Sequence, residues 1–171
     1  MAAPAFPAPK VIGTEKADVS YTDRQAVRVV AFNPNGDVAI VYAKRDNYYK
    51  LPGGGIEPHE DHETAARREF QEETGGVIKL RSSNCMATTK EFRFHLRQVS
   101  YCYVADLVDD TGEPNLSDEE IEDGLGHLWV SVEEAKRLMA VAEPRSEFGR
   151  FVKERDIYLL DEATKGGAAE V

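Results

Sequence analysis

The segment "RREFQEETGG", residues 67 to 76, sets Glu69, Glu72 and Glu73 at i, i+3 and i+4 of a stretch that otherwise reads as helix. At 3.6 residues per turn the three carboxylates share one face within an arc of about 100°. Like charges at this spacing each cost about 0.2–0.5 kcal/mol in an isolated helix, and carboxylates near its C-terminal end oppose the helix dipole. Arg67 and Arg68 offset part of the repulsion, but Arg68 is expected to project to the side of the arc. A hard divalent cation is therefore expected to neutralise the cluster, because Mg²⁺ takes carboxylate oxygens together with waters and phosphate oxygens. One turn earlier, Ala65 and Ala66 leave room for a second stretch of backbone. Pro52-Gly53-Gly54-Gly55 is the candidate, since glycines permit close approach to a ligand and their carbonyls are further hard donors.

These residues need elements to position them. "AVRVVAF" and "VAIVYAK", joined by "NPNGD", read as a β-hairpin. "YYKL" reads as a short strand, "PGGG" as a loop, and Asp61 to Thr74 as the acid-bearing helix, ended by Gly75-Gly76. The alternation in "EFRFHLR" predicts one half-buried strand, with Phe92, Phe94 and Leu96 inward and Glu91, Arg93, His95 and Arg97 outward. "VSYCYVADLV" and "HLWVSV" read as two more strands. Ser131 and Glu134 form a capping box for a helix reaching about Val141, and a last helix starts near Ser146 with Phe148, Phe151, Val152, Arg155, Tyr158 and Leu159 at helical spacing. Strands mixed with irregularly placed helices predict an α/β (α+β) fold, a mixed sheet with helices on its faces.

The chain has 171 residues, 42% of them hydrophobic, enough for one core and one domain. The domain is expected over residues 19–161, between a flexible segment 1–18 and a flexible tail 162–171. A net charge of −10 argues against stable nucleic-acid binding and against attraction to an anionic membrane. An anionic substrate therefore needs local help. The Pro- and Ala-rich start does not read as a secretory signal, and no segment has the apolar length to span a bilayer. Cys85 and Cys102 lack metal-ligand spacing and fit two partly buried thiols in a reducing, cytoplasmic location. The sequence shows no heptads and leaves assembly open, a homodimer included.

Gly54 to Gly76, "GGIEPHEDHETAARREFQEETGG", resembles the Nudix box: glycine, five residues, glutamate, seven residues, then Arg-Glu-apolar-any-Glu-Glu-any-Gly-apolar. Gly54, Glu60, Arg68, Glu69, Phe70, Glu72, Glu73 and Gly75 match; Gly76 stands where the pattern has an apolar residue. The resemblance implies an α/β/α sandwich and a hydrolase of nucleoside diphosphates linked to another group X, using Mg²⁺ or Mn²⁺. It implies that Glu72, Glu73 and the Gly53 carbonyl hold metal, with Glu69 as ligand or general base. Arg68 would orient the carboxylates and pair with Glu60, and Glu57 would lie further out. An additional acid from "SDEEIEDG" is implied, with Glu120 favoured as ligand. Gly54, Gly55, Glu57, Arg93 and Tyr49 are the candidates for contacting a small-molecule nucleotide, alongside Tyr48, Lys90 and Arg97.

Downstream of the box, the signatures of NADH, ADP-ribose, diadenosine polyphosphate and coenzyme A hydrolases are missing. Elimination leaves nucleoside triphosphates, oxidised ones included, with ADP-ribose, nucleotide sugars or dinucleoside polyphosphates as alternatives. A non-catalytic nucleotide-binding module of the same fold is the rival of another class; such modules commonly lose box glutamates, and this chain keeps them. His59, His62, His95 and His127 are expected to be solvated or without a partner, and Trp129 to sit in the core.

Overall fold

The computed structural model describes residues 6–166. Nine strands, β1 (Lys10–Ile12), β2 (Thr22–Phe32), β3 (Val38–Ala43), β4 (Tyr48–Lys50), β5 (Gly53–Gly55), β6 (Val77–Leu80), β7 (Ala87–Arg93), β8 (Leu96–Asp109) and β9 (Leu125–Val130), form one mixed sheet among the described residues. The helices are α1 (His62–Thr74), α2 (Asp118–Glu122), α3 (Val132–Val141) and α4 (Glu147–Thr164). The main path runs β1-β7-β8-β2-β3-β4, with β5 added to β2, β6 to β8 and β9 to β3. The β1–β7 and β2–β8 pairs are parallel and the rest antiparallel.

Strand β2 explains the layering. Val30 and Phe32 face a cluster with Ala135 and Met139 of α3 and Leu159 and Leu160 of α4. Val27, Val29 and Ala31 face Ala65, Ala66 and Phe70 of α1. Period-two alternation in a strand apolar on both sides gives a sheet buried on both faces, and hence an α/β/α sandwich.

The expected hairpin forms, but β2 and β3 pair only at Phe32↔Val38. Beyond that point they splay apart: β5 takes the freed edge of β2, and β4 and β9 take β3. The glycines expected in a loop are thus a strand, Gly53–Gly55, pinned to Arg28–Ala26. Splaying opens the sheet at the glycine strand, where α1 packs.

Several further expectations change. "EFRFHLR" is a hairpin rather than one strand: β7 ends at Arg93, Phe94 turns the chain at φ 55°, and β8 begins at Leu96. Phe94 is consequently exposed, whereas Glu91, assigned outward, is fully buried. Its burial is compensated by the Arg155 guanidinium at 3.0 Å and by the Gln98 amide at 3.2 Å. Residues 10–12, expected to be flexible, form β1 against β7, and α4 carries the chain in order through Thr164, inside the expected tail. Residues 1–5 and 167–171 of the two terminal segments lie outside the described residues. At α3 only the Ser131 half of the expected capping box forms, because the Glu134 carboxylate turns to Arg137; the reciprocal box occurs at Ser117 and Glu120 instead. Among the described residues no helix is long and apolar enough to cross a membrane. Both cysteines are free, Cys102 buried and Cys85 half-buried, and Trp129 packs edge-on to Phe70.

Candidate active site

Helix α1 begins where Asp61 accepts the Thr64 N–H at 2.8 Å, and it ends where Gly75 adopts φ 80° and donates to the Gln71 carbonyl. The left-handed C-cap suits glycine, and it stops the helix one residue after Thr74. Gly76 lies against the Phe70 ring, where a Cβ would stand 2.8 Å from it, so the departure from the box pattern fits this packing.

Glu73 faces the sheet and is almost fully buried. Its Oε1 accepts the Gly53 N–H at 2.9 Å, tying the helix to the glycine strand. Its Oε2 lies 2.9 Å from the Lys50 ammonium, at ion-pair distance, and among the described residues no other group donates to it. Glu69 stands beside Gly54: a Cβ there would come within 2.5 Å of its carboxylate, so only glycine lets strand and acid approach this closely. Burial raises the Glu69 pKa above the usual carboxylate range, and the neighbouring charges of Glu73 and Glu72 push the same way against Arg68. Glu72 is the most open of the three.

Arg68 does not point aside. Its guanidinium grips Glu60 with two bonds of 2.6 and 2.7 Å, reaches the Gly55 carbonyl at 3.1 Å, and contacts Glu69 at 3.0 Å and Glu72 at 3.4 Å. The Glu60 hydrogen bond is the largest influence raising its pKa, and reciprocally it holds the Glu60 carboxyl low. The expectation that Arg68 projects to the side of the arc and offsets only part of the repulsion is therefore corrected: Arg68 meets Glu69 and Glu72, and Lys50 meets Glu73. The cause is tertiary, since Glu60 precedes the helix and Lys50 comes from another strand. Among the described residues no three acidic, histidine or cysteine side chains converge on one point.

The other candidates are dispersed. Glu57 is exposed, and its N–H is held by Glu60 at 3.0 Å. Glu120 accepts the Ser117 N–H within the α2 capping box and, among the described residues, has no hydrogen bond or ion pair with the acids of α1. Tyr49 stacks on Tyr42 with centroids 4.5 Å apart, and Tyr48 is buried against α4. Arg93 lies over the Phe148 ring and beside Glu91. Lys90 lies over Phe92, and Arg97 pairs with Asp23. His62, expected to be solvated, is tucked between Tyr101 and Tyr103, with Nδ1 2.6 Å from the Tyr103 hydroxyl.

Sequence reasoning missed Lys50, Asp156 and Arg24. Asp156 Oδ2 accepts the Leu51 N–H at 2.9 Å and Oδ1 accepts from Arg155 at 2.7 Å, so α4 anchors the approach to the glycine strand. Burial alone would raise the Asp156 pKa; Arg155 and Arg28 outweigh it and hold the carboxyl low. Arg24 is held by Gln98 at 2.6 Å with its guanidinium close over Gly55. Arg155 and Asp156 could have been noticed as charges interrupting the apolar stripe of α4; Lys50 and Arg24 carried no such signal.

An acid-faced helix is thus clasped to a glycine strand where a mixed sheet splays open. The NUDIX domain profile matches residues 22–150, and the chain belongs to the Nudix family. No curated protein matches it in sequence. Its fold is similar to solved structures at low identity: the E. coli ORF135 protein (TM-score 0.58, 17% identity, 92% of this chain and 98% of that one) and a MutT protein from Methanosarcina mazei Go1 (0.57, 16%, 86% and 99%). A UDP-X diphosphatase is comparable (0.57, 18%, 88% and 68%).

Proposed function

We propose that this chain hydrolyses a phosphoanhydride bond in a nucleoside diphosphate linked to X, dependent on Mg²⁺ or Mn²⁺. The substrate favoured is a nucleoside triphosphate, intact or oxidised in its base, cleaved to monophosphate and pyrophosphate. The observation that carries the reading is the Glu73 carboxylate, buried beside the glycine strand with Oε1 held by the Gly53 N–H and Oε2 met, among the described residues, only by the Lys50 ammonium. With Glu72 and the Gly53 carbonyl it supplies only hard oxygen donors, two carboxylates and a carbonyl, suited to Mg²⁺ or Mn²⁺ and unsuited to softer ions. Glu72, Glu73 and the Gly53 carbonyl would hold the ion, which when bound neutralises phosphate charge and acidifies a water.

The chain's own groups do the rest. Glu69, half-buried beside Gly54, accepts a proton from the attacking water. Arg68, locked by Glu60, fixes the Glu69 and Glu72 carboxylates. Arg24, over Gly55, offers a cation to an anionic substrate in a chain of net charge −10. A second reading within the same chemistry is a UDP-linked substrate, as named for the UDP-X diphosphatase of similar fold.

The test is a mixed panel of nucleoside triphosphates, nucleotide sugars, ADP-ribose and dinucleoside polyphosphates with Mg²⁺, following release of monophosphate and pyrophosphate. At least one is cleaved, and Glu73→Gln abolishes cleavage while leaving the circular dichroism spectrum intact. Cleavage of none, or undiminished turnover by Glu73→Gln, overturns the reading.

A further inference from the structure

The two bases that meet the acids are held very differently. Arg68 is gripped by two bonds to Glu60 and one to the Gly55 carbonyl, so it cannot leave without breaking all three. Among the described residues the Lys50 ammonium is paired with Glu73 alone and held by no hydrogen bond to any other group, and its side chain is 13% exposed against 1% for Glu73. Lysine is a compact charge on a flexible stem that can carry its ammonium out to water. Glu73 by contrast has no solvent to turn to, and a buried carboxylate without a counter-charge is strongly unfavourable.

From this asymmetry we infer that Lys50 is a displaceable internal counter-ion: it neutralises Glu73 in the metal-free protein and must vacate Oε2 before a divalent cation can use that oxygen. The inference rests on the proposed function and goes beyond it by assigning a role to a residue outside the box. The ammonium and a divalent ion would compete for one carboxylate oxygen, and two cations sharing it would repel strongly in a buried site. The Gly53 N–H stays on Oε1 throughout, so the carboxylate keeps its orientation while its partner changes. Arg68 remains in place and serves the other two acids.

The experiment is titration with Mn²⁺ in the absence of nucleotide, reading free Mn²⁺ by its electron paramagnetic resonance signal, on the wild type, Lys50→Met, Lys50→Gln and Lys50→Arg. Lys50→Met is expected to bind Mn²⁺ at least about tenfold more tightly than the wild type, because the competing charge is gone. Lys50→Arg retains the charge and stays within about threefold of the wild type. Thermal melting supplies a second reading: Lys50→Met melts below the wild type without Mn²⁺ and gains more from added Mn²⁺. If Lys50→Met fails to fold, Lys50→Gln, whose amide can donate to Oε2, takes its place with the same expected tightening. Equal Mn²⁺ affinity in the wild type and the neutral variants overturns the inference and leaves the proposed function standing. Absence of Mn²⁺ binding in all variants overturns both.

Discussion

Oδ2 of Asp156, in the C-terminal helix, accepts the backbone N–H of Leu51 at 2.9 Å, and Leu51 lies two residues before the glycine whose N–H is held by Glu73. One buried carboxylate thus joins the helix on one face of the sheet to the strand that meets the acids on the other. Asp156 is itself paired with Arg155, which reaches on to Glu91.

Removing that carboxylate should be costly. Asp156→Leu leaves the Leu51 N–H without its acceptor and deprives the buried Arg155 of one partner. Breaking one side of a buried ion pair typically costs about 3–5 kcal/mol, and urea unfolding should show a loss of this size. A loss below about 1 kcal/mol would mean that water replaces the carboxylate.

Gly54 should tolerate no side chain without functional loss. In Gly54→Ala the new Cβ would meet the Glu69 carboxylate at 2.5 Å, so Glu69 must move. A displacement of about 1 Å in a reacting group can cost on the order of 10²-fold, and kcat should fall at least about tenfold with little change in melting temperature. Turnover matching the wild type would show that Glu69 is not held by this contact.

Arg68→Lys should behave as a non-conservative change. A lysine cannot bridge Glu60, the Gly55 carbonyl, Glu69 and Glu72 with one planar group. Loss of such an orienting partner typically costs about 10–100-fold, and kcat/KM should fall in that range. Steady-state kinetics on whichever nucleotide is cleaved provides the measurement.

His62 should give the fold a dependence on pH. Burial lowers its pKa below the usual 6.5, against the weaker pull of Asp61. A lowered folded pKa means that the stabilisation is present above the unfolded value of 6.5 and is lost as pH falls through the folded value. The wild type should therefore lose more melting temperature than His62→Gln between about pH 7.5 and about pH 5. Parallel curves for the two proteins would contradict the burial argument.

The local chemistry was legible in the sequence because it depends on neighbours along the chain. Three acids at i, i+3 and i+4, Asp61 before the helix and Gly75 after it determine a capped helix with an acidic face, and helical periodicity does not wait for tertiary contacts. Alternating β-branched runs determine the strands in the same way, and the spacing of box residues was enough to indicate the family. What neutralises each acid was decided only by the tertiary structure. Lys50 is 23 positions before Glu73 and Asp156 is 105 positions after Leu51, so neither pair leaves a periodic trace. The same holds for Glu91: strand alternation sent it outward, and only the arrival of Arg155 from the last helix makes its burial affordable. A charge in an amphipathic pattern shows that a group wants a polar partner; which partner, and on which face, follows from how distant elements pack.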